Sequence, residues 1–181
     1  MSRHAAHVYR DVGELADAVA RFLAAGFEAG EPALVVATRD NLRSFVERLE
    51  ELGWDTARIE RQASLVVADA VSTLRSIVRN GRPSPVAFEA VVGTLLDELA
   101  AHFPGRTPRV FGEMVNVLCE RGDAVSAIEL EELWNHLART RSFSLLCGYR
   151  AQLVDRKLFA DVCRLHTHVD QTRSPVASTQ R

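Results

Sequence analysis

The chain has little that would commit it to a disulfide framework, a membrane or nucleic acid. Its three cysteines, Cys119, Cys147 and Cys163, are an odd number with no Cys-x-x-Cys spacing. They are expected to be reduced thiols, with Cys147 acting as a small buried hydrophobe in an apolar strand. No apolar run approaches the roughly 20 residues needed to span a bilayer, so no membrane association is expected. Residues 1–10 are polar and do not read as a secretory signal, which implies a cytoplasmic protein. The formal net charge is -2, and the arginines stand singly beside acids. Nucleic acid is not expected, because phosphate binding needs a clustered basic surface. There is no internal repeat. The first predicted strand leads into Tyr9-Arg10-Asp11-Val12-Gly13-Glu14, with no Gly-x-x-x-x-Gly-Lys-Ser/Thr loop to cradle phosphate.

What is present is the pattern of one α/β domain. At 181 residues the chain fills one such domain and is short for two. Apolar periodicity alternates between helical and strand-like. Strands are predicted at 7–9, 33–38, 65–69, 109–113 and 142–148. Helices are predicted at 12–29, 39–52, 71–79, 84–103, 114–121, 124–140 and 153–166. Gly30, Gly53 and Asn80-Gly81-Arg82-Pro83 act as breakers. The run Ala33-Leu-Val-Val-Ala-Thr38 is nearly all apolar, as expected for a strand buried on both faces of a parallel sheet. Residues 1–170 form the expected domain, and 171–181 a polar, frayed tail.

Five parallel strands with right-handed crossovers would bring their C-terminal ends to one edge, where α/β sheets bind ligands. Tyr9, Arg10, Arg39, Glu113, Tyr149 and Arg150 are the expected ligand-binding residues there, with Asp69 arriving at the same edge. Glu113 ends a buried strand, so it needs a partner, and Arg150 or Arg39 is the natural one. It is either a ligand contact or a structural ion pair. Tyr9 and Tyr149 either wall one pocket or cap the sheet edge. No catalytic residues are assigned, because no nucleophile-base pair sits on a strand-turn-helix elbow. His4-x-x-His7 and His166-x-His168 lie near opposite ends of the chain. They are read as surface or hydrogen-bonded histidines, with no metal site or cofactor expected. Glu129, Glu131 and Glu132 read as a solvated face, and Ile128, Leu133 and Leu137 as the inward side of their helix.

These motifs resemble the MEDS sensory domain, named for methanogen/methylotroph and dichloromethane-regulator proteins, over roughly residues 4–169. The resemblance rests on His7-Val-Tyr9, Phe22-Leu-Ala-Ala-Gly26, Gly30-Glu31 and Leu34-Val-Val-Ala-Thr38. It continues through Gly81-Arg-Pro, Val110-Phe-Gly-Glu-Met114-Val, Leu130-Glu-Glu-Leu-Trp-Asn135, Phe143-Ser-Leu-Leu-Cys147-x-Tyr149 and His166-x-His168-Val. Through that family the chain is also similar to KaiC/RecA-type ATPases. The resemblance implies a three-layer α/β fold, RecA/KaiC-like, with a five-stranded mostly parallel sheet flanked by helices and the phosphate loop lost. It places Glu113 where the ATPase pattern has its Walker B aspartate, and Arg39-Asp40 where an acidic pair would position water.

The resemblance implies a stand-alone sensory or regulatory module. It would bind a small molecule at the C-terminal edge of the sheet and signal through a protein partner, a histidine kinase or transcription regulator. Two alternatives stay open: a protein-interaction scaffold with a closed crevice, and a residual nucleotide-binding enzyme. A homo-oligomer is compatible with the pattern.

Overall fold

A computed structural model describes residues 4–171 of the chain. The predicted strands form as β1 (His4–Tyr9), β2 (Ala33–Ala37) and β3 (Leu65–Asp69). A small antiparallel hairpin, β4 (Val78–Arg79) and β5 (Arg82–Pro83), follows at the breaker, then β6 (Arg109–Gly112) and β7 (Ser144–Arg150). A further strand, β8 (His168–Gln171), joins them. The main sheet runs β3-β2-β6-β7-β1-β8, with every neighbouring pair parallel.

The expected count of five strands is therefore corrected to six. β8 takes Gln171 out of the expected tail, whose residues 172–181 lie outside those described. β8 escaped prediction because it is a short edge strand with the sequence His-Val-Asp-Gln, lacking the apolar run of a buried strand. It is fastened by Thr167, whose N–H and hydroxyl both donate to the His4 carbonyl at 2.7 Å.

Helices cover both faces. On one side α1 (Val12–Glu28), α2 (Arg39–Glu51) and the short α3 (Thr56–Arg61) bury Leu15, Val19, Leu23, Phe45, Leu49 and Ile59. On the other lie α4 (Ala70–Ile77) and the stretch α5 (Pro85–Phe88), a π turn (Glu89–Gly93) and α6 (Thr94–His102). The same side carries α7 (Met114–Glu120), α8 (Ala124–Leu137) and α9 (Arg156–Leu165). Alternating strand residues feed the two layers: Val35 and Phe111 face α1 and α2, while Leu34, Val36 and Val110 face the opposite core. Both sets are buried, which is why these strands read as continuous apolar runs.

Helix starts follow local chemistry. Asp11, Asp55, Asp69, Asp123 and Asp155 each accept a hydrogen bond from the backbone N–H three residues on. Asp69, which the sequence brings to the strand ends, is thus engaged as the cap of α4. Gly26 has a packing reason to lack a side chain. A Cβ there would meet Arg109 Cδ at 2.5 Å, and Arg109 crosses α1 at this point to reach the Phe22 carbonyl and Glu31.

Candidate functional site

The register of β1 against β7 decides how the expected site residues are distributed. Tyr9 pairs with Arg150, and Val8 pairs with Tyr149. Paired residues of parallel strands share a face, so the two tyrosines point to opposite sides of the sheet. Tyr9 joins the layer of α1 and α2, whereas Tyr149 lies in the other core. Of the two readings, one pocket walled by both rings does not hold, and the two rings close the sheet edge from opposite faces.

On the Tyr9 side, Glu113 is the centre. It is 2% exposed and follows β6 directly into α7. Its carboxylate accepts from Thr38 N–H at 2.7 Å, the Thr38 hydroxyl at 3.1 Å and the Asn41 amide. The expected arginine partner is replaced by these neutral donors, which β2 and the first turn of α2 deliver. Burial pushes the Glu113 pKa up, and the donors from Thr38 and Asn41 only partly oppose it. Arg39 begins α2 and is exposed, while Arg10 is held by Glu14 through its side chain and backbone N–H. Arg150 donates its backbone N–H to Asn116 Oδ1 at 2.9 Å.

Tyr9 is fully buried, yet its hydroxyl makes no hydrogen bond of good geometry, although the Arg150 guanidinium is close enough to act on it. Arg150 Nε is also buried without a partner. Buried polar atoms left this way are uncommon and mark either strain or a binding role. Burial and the nearby Glu113 push the Tyr9 pKa up to about 12, with Arg150 opposing.

On the opposite face Tyr149 donates to Glu131 Oε1 at 2.5 Å. Glu131 is fully buried, which overturns its reading as part of a solvated face. Its Oε2 lies 3.0 Å from His4 Nε2 and 3.4 Å from Cys147 Sγ, and its Oε1 lies 3.2 Å from His166 Nε2. The rings of His4 and His166 are 4.1 Å apart, because β8 lies beside β1. His7 instead faces Asp170, and His168 is exposed. Burial raises the Glu131 pKa, but the hydrogen bonds from His166 and His4 outweigh it and hold the carboxyl far below the usual range. Burial pushes the Cys147 thiol and the Tyr149 phenol well up, and the Glu131 charge adds to both.

Sequence reasoning missed Asn41, Asn116 and Glu131. Two of them stand at positions that a closer reading could have marked, although their partners could not be read. Asn116 is a lone polar residue inside Met-Val-Asn-Val-Leu-Cys, and Glu131 falls on the stripe Ala127, Leu130, Trp134 that faces the core.

The chain has two tyrosines, and both are shifted upward, so its phenolate titration is expected to lack a step near pH 10. A raised folded pKa contributes stability that is complete below the ordinary value of 10.0 and lost as pH rises through the folded value, about 12 for Tyr9. Ultraviolet titration of the native protein should therefore rise only near pH 12 or on alkaline unfolding, while the guanidinium-unfolded chain titrates near 10. A native step at 10 would show an exposed phenol.

Grooves of about 450 and 520 Å³ lie on the outer side of α8, sharing Glu129 and Glu132. Val125, Ile128 and Lys157 line the first, and Arg82, Leu133 and His136 the second. None of the six expected ligand contacts lines either groove. Among the described residues no helix is long and apolar enough to cross a membrane.

The sequence matches the family model described as MEthanogen/methylotroph, DcmR Sensory domain over residues 3–167. None of the curated proteins matches it. Among solved structures, the uncharacterized protein PH0321 from Pyrococcus horikoshii, crystallised with an unknown peptide, superimposes with a TM-score of 0.73 at 13% identity. That match covers 98% of this chain and 79% of the other. The KaiC-like protein PH0186 from Pyrococcus horikoshii OT3 gives a TM-score of 0.64 at 16% identity, covering 96% and 74%. These two likenesses bear on the fold, a parallel sheet between helical layers of the KaiC-like kind.

Proposed function

The chain belongs to the MEDS family of sensory domains, and from that membership we propose a module that reads a small molecule at the C-terminal edge of the sheet. The bound state passes by contact to a partner protein, a histidine kinase or transcription regulator. The observation that supports the ligand reading is the buried group of Glu113, the Tyr9 hydroxyl and Arg150 Nε, the last two facing each other with no hydrogen bond of good geometry. A donor phenol, a guanidinium N–H and a carboxyl shifted toward its neutral form suit a small oxygen-bearing ligand. Arg10 and Arg39 stand at the exposed rim, and Tyr149 supports the edge from the opposite face.

The start of α1 speaks against the nucleotide enzyme. Where a phosphate loop would offer free N–H groups, Asp11 accepts from Glu14 N–H at 3.0 Å, and the Glu14 carboxylate accepts from Arg10 N–H. Two carboxylates occupy the end of the helix that favours an anion.

A second reading, a protein-interaction scaffold, is favoured by the tight closure of the strand ends. Tyr9, Glu113 and Tyr149 are each 2% exposed or less. The readings separate in a thermal-shift panel of ATP with Mg²⁺, other nucleotides, and small halogenated and one-carbon compounds. The sensory reading expects one small compound to raise Tm saturably by roughly 3–8 °C. Tyr9→Phe and Glu113→Gln should abolish that rise while leaving unliganded stability within about 1 kcal/mol. A rise with nucleotide that vanishes in Glu113→Gln would revive the enzyme, and no rise at all would leave the scaffold.

A further inference from the structure

We infer that His4, Glu131, Cys147 and His166 form a closed binding site for one divalent transition-metal ion of the zinc class. The site lies on the face of the sheet away from Glu113 and is independent of the small-molecule reading. Each residue offers one ligand atom, all within 4.8 Å of one another, and all four residues are buried.

The spacing of His4, Glu131 and Cys147 is close to that of three corners of a tetrahedral ion, with His166 within 4.8 Å as the fourth. Bonds of about 2.0–2.1 Å to nitrogen and oxygen and 2.3 Å to sulfur place neighbouring donor atoms roughly 3.3–3.6 Å apart. Here His4 Nε2 lies 3.0 Å from Glu131 Oε2 and 3.5 Å from Cys147 Sγ. Cys147 Sγ lies 3.4 Å from Glu131 Oε2.

The surrounding hydrogen bonds aim the ligands. The Asn135 amide donates from Nδ2 to the Leu165 carbonyl at 3.0 Å, which turns its Oδ1 to His4 Nδ1 at 2.9 Å. The Val162 carbonyl lies 2.8 Å from His166 Nδ1. Both oxygens only accept, so Nδ1 of each ring carries a proton and Nε2 is the atom turned to the centre. This is the usual way an outer acceptor fixes a metal-binding histidine. His166 Nε2 is buried and has no hydrogen bond of good geometry, although it points at the Glu131 carboxylate. Tyr149 occupies Oε1, which leaves Oε2 as the ligand oxygen.

The donor set also fits by chemistry. Two imidazoles, a carboxylate and a thiolate suit zinc-class ions rather than calcium or magnesium. A thiolate and a carboxylate neutralise a divalent ion, so the buried unit carries no net charge. Binding displaces the Cys147 thiol proton and the protons through which His4 and His166 Nε2 face Glu131, all released to solvent. Four protein ligands leave no open position, the mark of a structural site. The ion would tie β1, β7, α8 and the residue leading into β8, locking the edge strand in place.

The test is titration of the reduced, chelator-stripped full chain with Co²⁺. Expected are saturation at one ion per chain, the intense visible bands of tetrahedral cobalt, and a near-ultraviolet thiolate-to-cobalt charge-transfer band. Zn²⁺ should displace the cobalt and raise Tm by roughly 5–10 °C at a hundredfold excess over Kd. Cys147→Ser should lose the charge-transfer band. The double variant Cys119→Ser/Cys163→Ser should keep it, which identifies Cys147 without altering the cluster. No saturable cobalt spectrum, or a band lost in that double variant, would overturn the site. The cluster would then be a metal-free hydrogen-bonded network. Neither result touches the ligand test, which reads Tyr9 and Glu113 on the other face.

Discussion

Glu131→Ala, in chelator-containing buffer, is expected to lose about 3–5 kcal/mol of folding stability, the cost of removing one partner from a buried ionic group. Glu131 is fully buried, accepts from Tyr149 and Cys147, and lies against Nε2 of His4 and His166. Without it, a phenol and a thiol lose their acceptor, and two imidazole nitrogens lose the carboxylate they face. The desolvated donors set the cost. In a chain of this length the loss corresponds to roughly 6–20 °C in Tm. Denaturant unfolding would measure it, and a double-mutant cycle with Tyr149→Phe would apportion it. Tyr149→Phe alone should cost about 1.5–3 kcal/mol, as for a hydrogen bond to a charged group, and much less once Glu131 is gone. A Glu131→Ala loss below about 1 kcal/mol would mean that the group relaxes to solvent and that the buried network is not a unit.

Trp134→Ala should cost a similar amount, about 3–5 kcal/mol, for a different reason. Trp134 is 1% exposed and packs edge-on against Phe88, with centroids 5.0 Å apart, and against Phe143 at 6.0 Å. It also lies over Gly112, the last residue of β6, so α8 rests on the sheet through this ring. Truncation leaves a cavity between rigid strands and two aromatic rings that cannot collapse to fill it. The loss should be insensitive to salt, unlike one arising from charge. Trp134→Phe should recover much of it. Gly112→Ala serves as a control, since its added Cβ would meet Trp134 at 3.7 Å, an ordinary contact. A Trp134→Ala loss below about 1.5 kcal/mol would show that the layer is loosely packed.

Much of the fold was legible because its physics is local. The apolar run at 33–37 and the short one within 109–112 read as buried strands, and glycine and proline breakers bounded the helices. Glu113 at a strand end needed nothing beyond the rule that a buried carboxylate must be satisfied. Its partners were less accessible, because Thr38 and Asn41 become neighbours of Glu113 only when β2 pairs with β6.

Three features belonged to the tertiary structure alone. Tyr9 and Tyr149 both end strands, yet a single step of register assigns them to opposite faces, and side-chain alternation makes such a step decisive. Glu131 sits on a core-facing stripe, but a carboxylate is read as solvated until its donors are known, and those come from β1, β7 and the end of α9. His4 and His166 stand near opposite ends of the sequence, and only the pairing of β8 with β1 brings their rings together. The sequence by itself determined the buried strands and the long helices, because burial periodicity and breakers act within a few residues, while the short α3, the β4–β5 hairpin and the edge strand β8 escaped it. Which polar side chains meet was decided by strand order and register, which depend on hydrogen bonds between segments far apart in the chain.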